Sequence, residues 1–218
     1  MKQAILAGAT GLVGRHLLSM ISKEAIFDSI ISLVRRPVES GLAGVEDRVV
    51  DFSRPSFEAG WVPDHFFCCL GTTMKRAGSE AAFRQVDYEF PMALARLCQN
   101  GKTHFHVITA MGSDAKSAFF YNRVKGDLER DLTELGLPRL TIYRPSLILG
   151  ERPERRSGES LAGIAAKILS PAMLGPMRKY RAIDARCVAS SMLSVAKSAQ
   201  GEAVRIILSD EMQDMCNL

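Results

Sequence analysis

The chain has 218 residues, of which 47% are hydrophobic and 24% charged, an ordinary globular mix that excludes disordered, collagenous and disulfide-scaffold classes. Its 28 Lys and Arg against 24 Asp and Glu leave a net charge of +4, too mild to argue for nucleic acid as a partner. A chain of this length buries a full core as a single domain.

Short apolar runs alternate with helical periodicity. Ala4 to Gly8 is a continuous apolar run, as in a strand buried on both faces. After the break at Gly8-Ala9-Thr10-Gly11, the residues Leu12, Val13, His16, Leu17, Met20 and Ile21 recur at helical spacing. Ile30 to Val34 is a second strand, ended by Arg35-Arg36-Pro37, and Arg48 to Phe52 a third. His65 to Leu70 is a fourth, followed by a long helix from Ser79 to Gln99. His104 to Thr109 is a fifth, followed by a helix from Phe119 to Leu135 that Gly136-Leu137-Pro138 stops. Leu140 to Tyr143 is a sixth strand, and Val204 to Leu208 a late one. Glu159 to Leu169 and Ala185 to Ala199 read as helices. This alternation predicts an α/β fold, a doubly wound and mostly parallel sheet covered on both faces, with residues 151–182 as a small C-terminal lid. Ligands in such sheets lie beyond the carboxyl ends of the strands.

Five cysteines, Cys68, Cys69, Cys98, Cys187 and Cys216, cannot all pair within one chain, and no C-x-x-C or His-rich spacing suggests a metal, so none is expected. They read as structural or incidental residues of a reducing compartment. The N-terminal apolar piece is too short for a signal peptide, and Leu161 to Pro176 is too short and too polar to span a membrane. The expectation is a cytoplasmic protein with neither a membrane nor a nucleic-acid partner.

The first strand-end turn is Gly8-Ala9-Thr10-Gly11-Leu12-Val13-Gly14. Glycines at this spacing let backbone approach a pyrophosphate, and the helix N-terminus adds N–H groups and positive dipole. At the second turn, an unphosphorylated nicotinamide dinucleotide prefers an acidic residue. Here stand Arg35 and Arg36, which suit a 2′-phosphate, with Arg15 able to assist. NADP(H) is therefore favoured over NAD(H), the competing reading being a solvated arginine pair. At the third turn, Asp51 and Phe52 could meet an adenine, or Asp51 could cap a turn. At the fourth, Leu70-Gly71-Thr72 offers small and hydroxyl groups beneath a ribose, with Lys75 beyond.

After the fifth strand come Thr109 and then Tyr121-Asn122-Arg123-Val124-Lys125 on a helix. Spacing i, i+4 puts phenol and ammonium on one face. A nearby ammonium favours phenolate, which equips Tyr121 to pass a proton to a carbonyl oxygen. Lys125 could also bond ribose hydroxyls, and Thr109 could hold the substrate oxygen.

Gly8-x-x-Gly11-x-x-Gly14, Tyr121-x-x-x-Lys125 and Arg144-Pro145 resemble the short-chain dehydrogenase/reductase superfamily in its extended and atypical branches. The nearer resemblance is to the atypical Tat-interacting, metastasis-suppressor subfamily. It is carried by Cys68 to Thr73, Ala77-Gly78-Ser79, Val86-Asp87, Tyr121 to Gly126 and Tyr143 to Ser146. It implies a Rossmann-type fold, NADP(H) and a Tyr-Lys pair at the nicotinamide. By the same likeness, Leu70-Gly71-Thr72 meets the ribose and Pro145-Ser146 lies near the nicotinamide amide. Two departures stand out. Thr109 replaces the family's usual serine, with Ser113 as the fallback, and the usual catalytic Asn has no clear match, although Asp87 lies near that place.

The sequence thus predicts an NADP(H)-dependent reductase of a small carbonyl, acting as monomer or homodimer. The alternatives are an NADPH-binding regulatory or redox-sensing protein with a protein partner and, disfavoured by the short tail, a nucleotide-sugar epimerase or dehydratase. Leu161, Ile164, Ala165 and Ile168 could line a lid or simply pack in the core. The cations Arg152, Arg155, Arg156, Arg178, Lys179 and Arg181 could meet an anionic substrate or form a solvated face.

Overall fold

A computed structural model describes residues 2–38, 40–56, 62–99, 101–150, 175–198 and 202–217. Seven strands form one sheet in the order β3-β2-β1-β4-β5-β6-β9, every neighbouring pair parallel. They are β1 (Gln3–Ala7), β2 (Ser29–Val34), β3 (Val45–Val49), β4 (His65–Cys68), β5 (His104–Ile108), β6 (Arg139–Arg144) and β9 (Val204–Leu208). A second, two-stranded sheet pairs β7 (Ile148–Leu149) with β8 (Ile183–Asp184). The chain steps outward from β1 to β3, then crosses back to β4 beside β1. The gap between the ends of β1 and β4 is the switch point of a doubly wound sheet.

Period-two alternation sends Leu6, Phe67 and Tyr143 to one face and Ile5, Phe66, Phe105 and Ile142 to the other. The first face is covered by α1 (Gly14–Ile21) through Leu17 and Ile21, and by α6 (Ala185–Lys197) through Val188 and Met192. The second is covered by α4 (Phe90–Arg96) through Met92 and Leu94, and by α5 (Phe120–Glu134) through Leu128 and Leu132. The remaining helices among the described residues are α2 (Met74–Ala77), α3 (Glu80–Arg84) and α7 (Ser209–Cys216). Among the described residues, no helix is long and apolar enough to cross a membrane.

The third strand lies earlier than its apolar run suggests. β3 pairs with β2 over Val45–Val49, and Asp51 closes the following turn by accepting from the Ser53 amide at 2.9 Å and its hydroxyl at 2.7 Å. The long helix expected from Ser79 to Gln99 is divided by a π-helical turn, Gln85–Glu89, and ends at Arg96. The helix expected at 159–169 and residues 151–174 of the expected lid, with Arg152, Arg155 and Arg156, lie outside the described residues. Residues Gly175–Tyr180 form a 3₁₀ helix.

The reading of the cysteines needs correction. Cys187 on α6 and Cys216 on α7 form a disulfide, with Cα atoms 5.0 Å apart, tying the last helix to the sheet's cover. Cys68, Cys69 and Cys98 are free thiols. Burial pushes the Cys68 thiol up to about 12, so it stays protonated.

Candidate active site

The carboxyl ends of β1, β4, β5 and β6 gather the candidate residues. The glycine turn after β1 is built by close backbone contacts. Gly8 has φ 92°, and a Cβ on it would lie 2.5 Å from the Cys69 carbonyl oxygen. A Cβ on Gly14 would lie 2.1 Å from the Gly8 carbonyl oxygen. The Gly11 amide donates to that same oxygen at 2.9 Å. Helix α1 then starts with no side-chain cap, leaving its first amides to the turn. Val13 is buried and Leu12 packs against the same core, while Thr10 is exposed. Leu12 and Val13 therefore have their side chains engaged in packing.

Beyond β2 and β3, Arg35, Val50, Asp51, Phe52, Gln85 and Val86 line a cleft of ≈ 410 Å³. Three of the residues expected at a cofactor thus share one cavity. Arg35 and Arg36 are exposed, and neither has an ion pair among the described residues. Phe52 is only 3% exposed and packs on Phe90 with centroids 5.9 Å apart, so it offers the cleft little more than an edge.

Helix α5 carries Tyr121, Lys125 and Glu129 on one stripe, at successive i+4 steps. Tyr121 is 38% exposed, its ring against Phe83 at 5.4 Å. Lys125 is 4% exposed, and its Nζ lies 2.8 Å from Asp87 Oδ1. Asp87 is itself 1% exposed and sits on the π-helical turn. Its other oxygen accepts from the Thr72 amide at 2.7 Å. Burial alone would lower the Lys125 ammonium, but the Asp87 charge, helped by Tyr121, moves it upward. Lys125 therefore stays a cation, and the β4 loop at Gly71-Thr72 is locked to it through one carboxylate.

Glu129 is bound at the next step. The Thr109 hydroxyl donates to Glu129 Oε1 at 2.5 Å and also lies 3.3 Å from the Tyr143 carbonyl oxygen. Arg144 Nε donates to both Glu129 oxygens at 3.0 Å, and its Nη2 also contacts Oε2. Thr109, expected to hold a substrate oxygen, has its hydroxyl bonded inside the protein. It is buried, and its single proton is held by Glu129 beneath α5. The fallback, Ser113, donates to the Ala110 carbonyl at 2.7 Å. The Ser146 hydroxyl bonds the Arg181 carbonyl and lies 2.9 Å from Ser209 Oγ, so it joins the β6–β7 loop to the C-terminal segment. The Pro145 carbonyl accepts from the Met111 amide at 2.9 Å. Lys75 is exposed on α2.

Asp87 and Glu129 carry interactions that pattern reading does not assign them. For Glu129 a signal existed: an acidic residue four positions after Lys125, on a stripe that continues into buried Leu132. For Asp87 only its place in the motif pointed here, because a π-helical turn leaves no mark in apolar periodicity.

A sequence model of the family described as HIM1 matches residues 62–173. The protein HTATIP2 of Rattus norvegicus is 35% identical over 170 residues, 74% of this chain and 69% of that protein. FMP52 of Eremothecium gossypii is 32% identical over 215 residues, 96% of this chain and 95% of that protein. The chain belongs to the HTATIP2/FMP52 family of atypical short-chain dehydrogenase/reductases. The fold agrees: MoeE5, solved with UDP-glucose and NAD, superposes with a TM-score of 0.68 at 12% identity, covering 98% of this chain and 80% of its own. That likeness carries the Rossmann-type fold and nothing of the substrate. The fungal family members are named mitochondrial, which overturns the expectation of a cytoplasmic protein.

Proposed function

We propose that this family member is an NADP(H)-dependent oxidoreductase that reduces a small carbonyl compound. The observation that carries the reading is the pair of Tyr121 at the site mouth and Lys125 one turn deeper, its cation fixed by Asp87. The cofactor reading is supported by the uncapped α1 start behind a turn whose Gly8 and Gly14 admit no Cβ, and by the cleft joining Arg35 to Asp51. Gly8 to Gly14 would hold the pyrophosphate with backbone amides. Arg35 and Arg36 would hold the 2′-phosphate, and Gly71-Thr72 would pass beneath a ribose.

A bound nicotinamide supplies or accepts hydride. Tyr121 gives its phenolic proton to the oxygen of the carbonyl as that oxygen gains charge. Lys125 remains charged, stabilises the resulting phenolate and keeps further N–H donors for ribose hydroxyls. The Thr109–Glu129–Arg144 network fixes α5 to the ends of β5 and β6, and so sets where the Tyr121 stripe lies.

One observation favours a second reading. Thr109 and Ser113 both have their hydroxyls engaged inside the protein, so neither is offered to a substrate oxygen. A protein that holds NADPH tightly with slow chemistry, and signals its redox state to a partner, fits that arrangement.

The deciding experiment measures NADPH binding by calorimetry and NADPH oxidation across a panel of aldehydes and ketones, for the wild type and Tyr121→Phe. The reductase reading expects turnover that falls about 10²–10⁴-fold in the variant with NADPH affinity kept. Tight NADPH binding without turnover gives the second reading. Failure to bind NADPH overturns both.

A further inference from the structure

Three buried histidines meet at the other end of the sheet from this site. His65 opens β4, His104 opens β5, and His106 lies two residues further on. The register pairs His65 with His104 and Phe67 with His106, so alternation places all three rings on one sheet face, the face covered by α1 and α6. A ring nitrogen from each lies within 4.8 Å of the other two. His65 Nδ1 and His106 Nε2 are 3.2 Å apart. That is close to the roughly 3.3 Å edge of a tetrahedron whose metal–nitrogen bonds are about 2.0–2.1 Å.

The hydrogen bonds around the cluster show which nitrogens remain for a ligand. His106 Nδ1 lies 3.1 Å from the Tyr143 hydroxyl, and His104 Nε2 lies 2.8 Å from Thr141 Oγ1. A ring that gives its one proton to a hydroxyl presents a lone pair on its opposite nitrogen. Those opposite nitrogens are His106 Nε2, already facing His65 Nδ1, and His104 Nδ1, which is buried with no hydrogen-bond partner among the described residues. Anchoring of the far nitrogen is the usual outer arrangement around metal-bound imidazoles, where it fixes both tautomer and ring orientation. Three adjacent buried imidazoles, one with a ring nitrogen unpartnered among the described residues, fit a set of ligands around one ion.

We infer that His65, His104 and His106 form a binding site for a borderline divalent cation of the zinc type, one nitrogen of each ring serving as ligand. Three imidazoles with no carboxylate suit zinc, cobalt, nickel or copper and do not suit magnesium or calcium. Burial keeps the rings neutral, which is the ligating form. Metal entry would displace the His65–His106 hydrogen bond, and the proton involved would pass to His65 Nε2, so no net charge leaves the rings. The ion would clamp the start of β4 to the start of β5. Because the Tyr121–Lys125 site lies beyond the opposite ends of those strands, the ion's role is structural.

The test uses untagged full-length protein stripped of metal and titrated with cobalt(II), then zinc(II). One equivalent of cobalt should bind with the visible d–d bands of a low-symmetry site, be displaced by zinc, and raise Tm with metal concentration. His104→Phe, which fills the same space with an apolar ring, should lose tenfold or more in metal affinity and lose the Tm response. His65→Asn is the second variant should the first fail to fold. The inference is overturned if wild type shows neither bands nor a Tm rise, or if a folded variant binds cobalt as wild type does. Thiolate charge-transfer bands would also overturn it, because they would assign the ion to the free cysteines.

Discussion

Asp87 holds Lys125 Nζ with one carboxylate oxygen, at 2.8 Å, and the Thr72 amide with the other, at 2.7 Å. The acid therefore joins three elements that meet at the candidate site: the β4 loop, the π-helical turn and α5. Removing its charge strands a buried ammonium. Asp87→Asn keeps an acceptor for Thr72 but leaves Lys125 unpaired, and breaking one side of a buried pair costs about 3–5 kcal/mol. Urea denaturation should show this loss. Asp87→Asn/Lys125→Met should recover part of it, because no uncompensated charge remains. A single-variant cost below about 1 kcal/mol would mean that the pair behaves as a solvated one.

Arg35 and Arg36 give the next prediction. Arg35 lines the cleft with Asp51, and both guanidiniums are exposed without an ion pair among the described residues. If they take the 2′-phosphate, each charge-assisted hydrogen bond removed by Arg35→Ala/Arg36→Ala should weaken NADPH binding by about 1.5–3 kcal/mol, roughly tenfold or more, with NADH affinity nearly unchanged. Calorimetric titration of both dinucleotides checks this. Equal weakening of the two would place the arginines elsewhere on the ligand, and no weakening would make them a solvated pair.

The glycine positions separate folding from ligand contact. A Cβ on Gly14 meets the Gly8 carbonyl oxygen at 2.1 Å, a backbone atom in a packed turn, so Gly14→Ala should shift the turn and lose both stability and cofactor affinity. A Cβ on Gly71 meets only Asp87 Oδ1 at 3.6 Å, an ordinary contact. Gly71→Ala should therefore fold with a Tm near wild type yet bind cofactor more weakly if, as proposed, a ribose passes over this loop. Matched thermal melts and NADPH titrations distinguish the two variants.

The alternation of strands and helices, the glycine turn and the i+4 spacing of Tyr121 and Lys125 were legible in the sequence because each rests on local spacing: an apolar run, a turn composition, an i+4 step. What was not legible depends on contacts between distant segments. Thr109 and Ser146 look available in sequence, and their partners, Glu129 and Arg181, are set by how α5 and the C-terminal segment pack. The Cys187–Cys216 bond joins two helices that only the folded sheet brings together. The histidines are adjacent through β4–β5 register alone, His65 being 41 residues from His106. β3 begins ahead of its apolar run because an edge strand half-open to solvent carries weaker apolar alternation than its neighbours.

That histidine cluster also sets how the metal-free protein responds to acid. Burial lowers His65 from 6.5 to about 4 and His104 to about 3, the Lys2 and Arg139 charges acting in the same direction. Both folded values lie below the unfolded value of 6.5. Below pH 6.5 the unfolded chain therefore binds protons that the folded chain refuses, and stability falls as pH drops toward the folded values. At 1.36 kcal/mol per unit this is on the order of 3 kcal/mol from His65 and 5 kcal/mol from His104. The rings touch, with centroids 5.5 Å apart, so their protonation is mutually opposed and the joint effect is smaller than the sum. Loss of this size is a large share of a domain's roughly 5–15 kcal/mol. Asp47, Asp64 and Asp131 are held below 3.8, so their contributions are lost only below that pH and leave the upper window to the histidines. Urea unfolding of metal-stripped protein should show stability declining between pH 6.5 and 4. His104→Phe should flatten that slope, and an unchanged slope in the folded variant would remove the cluster as its cause.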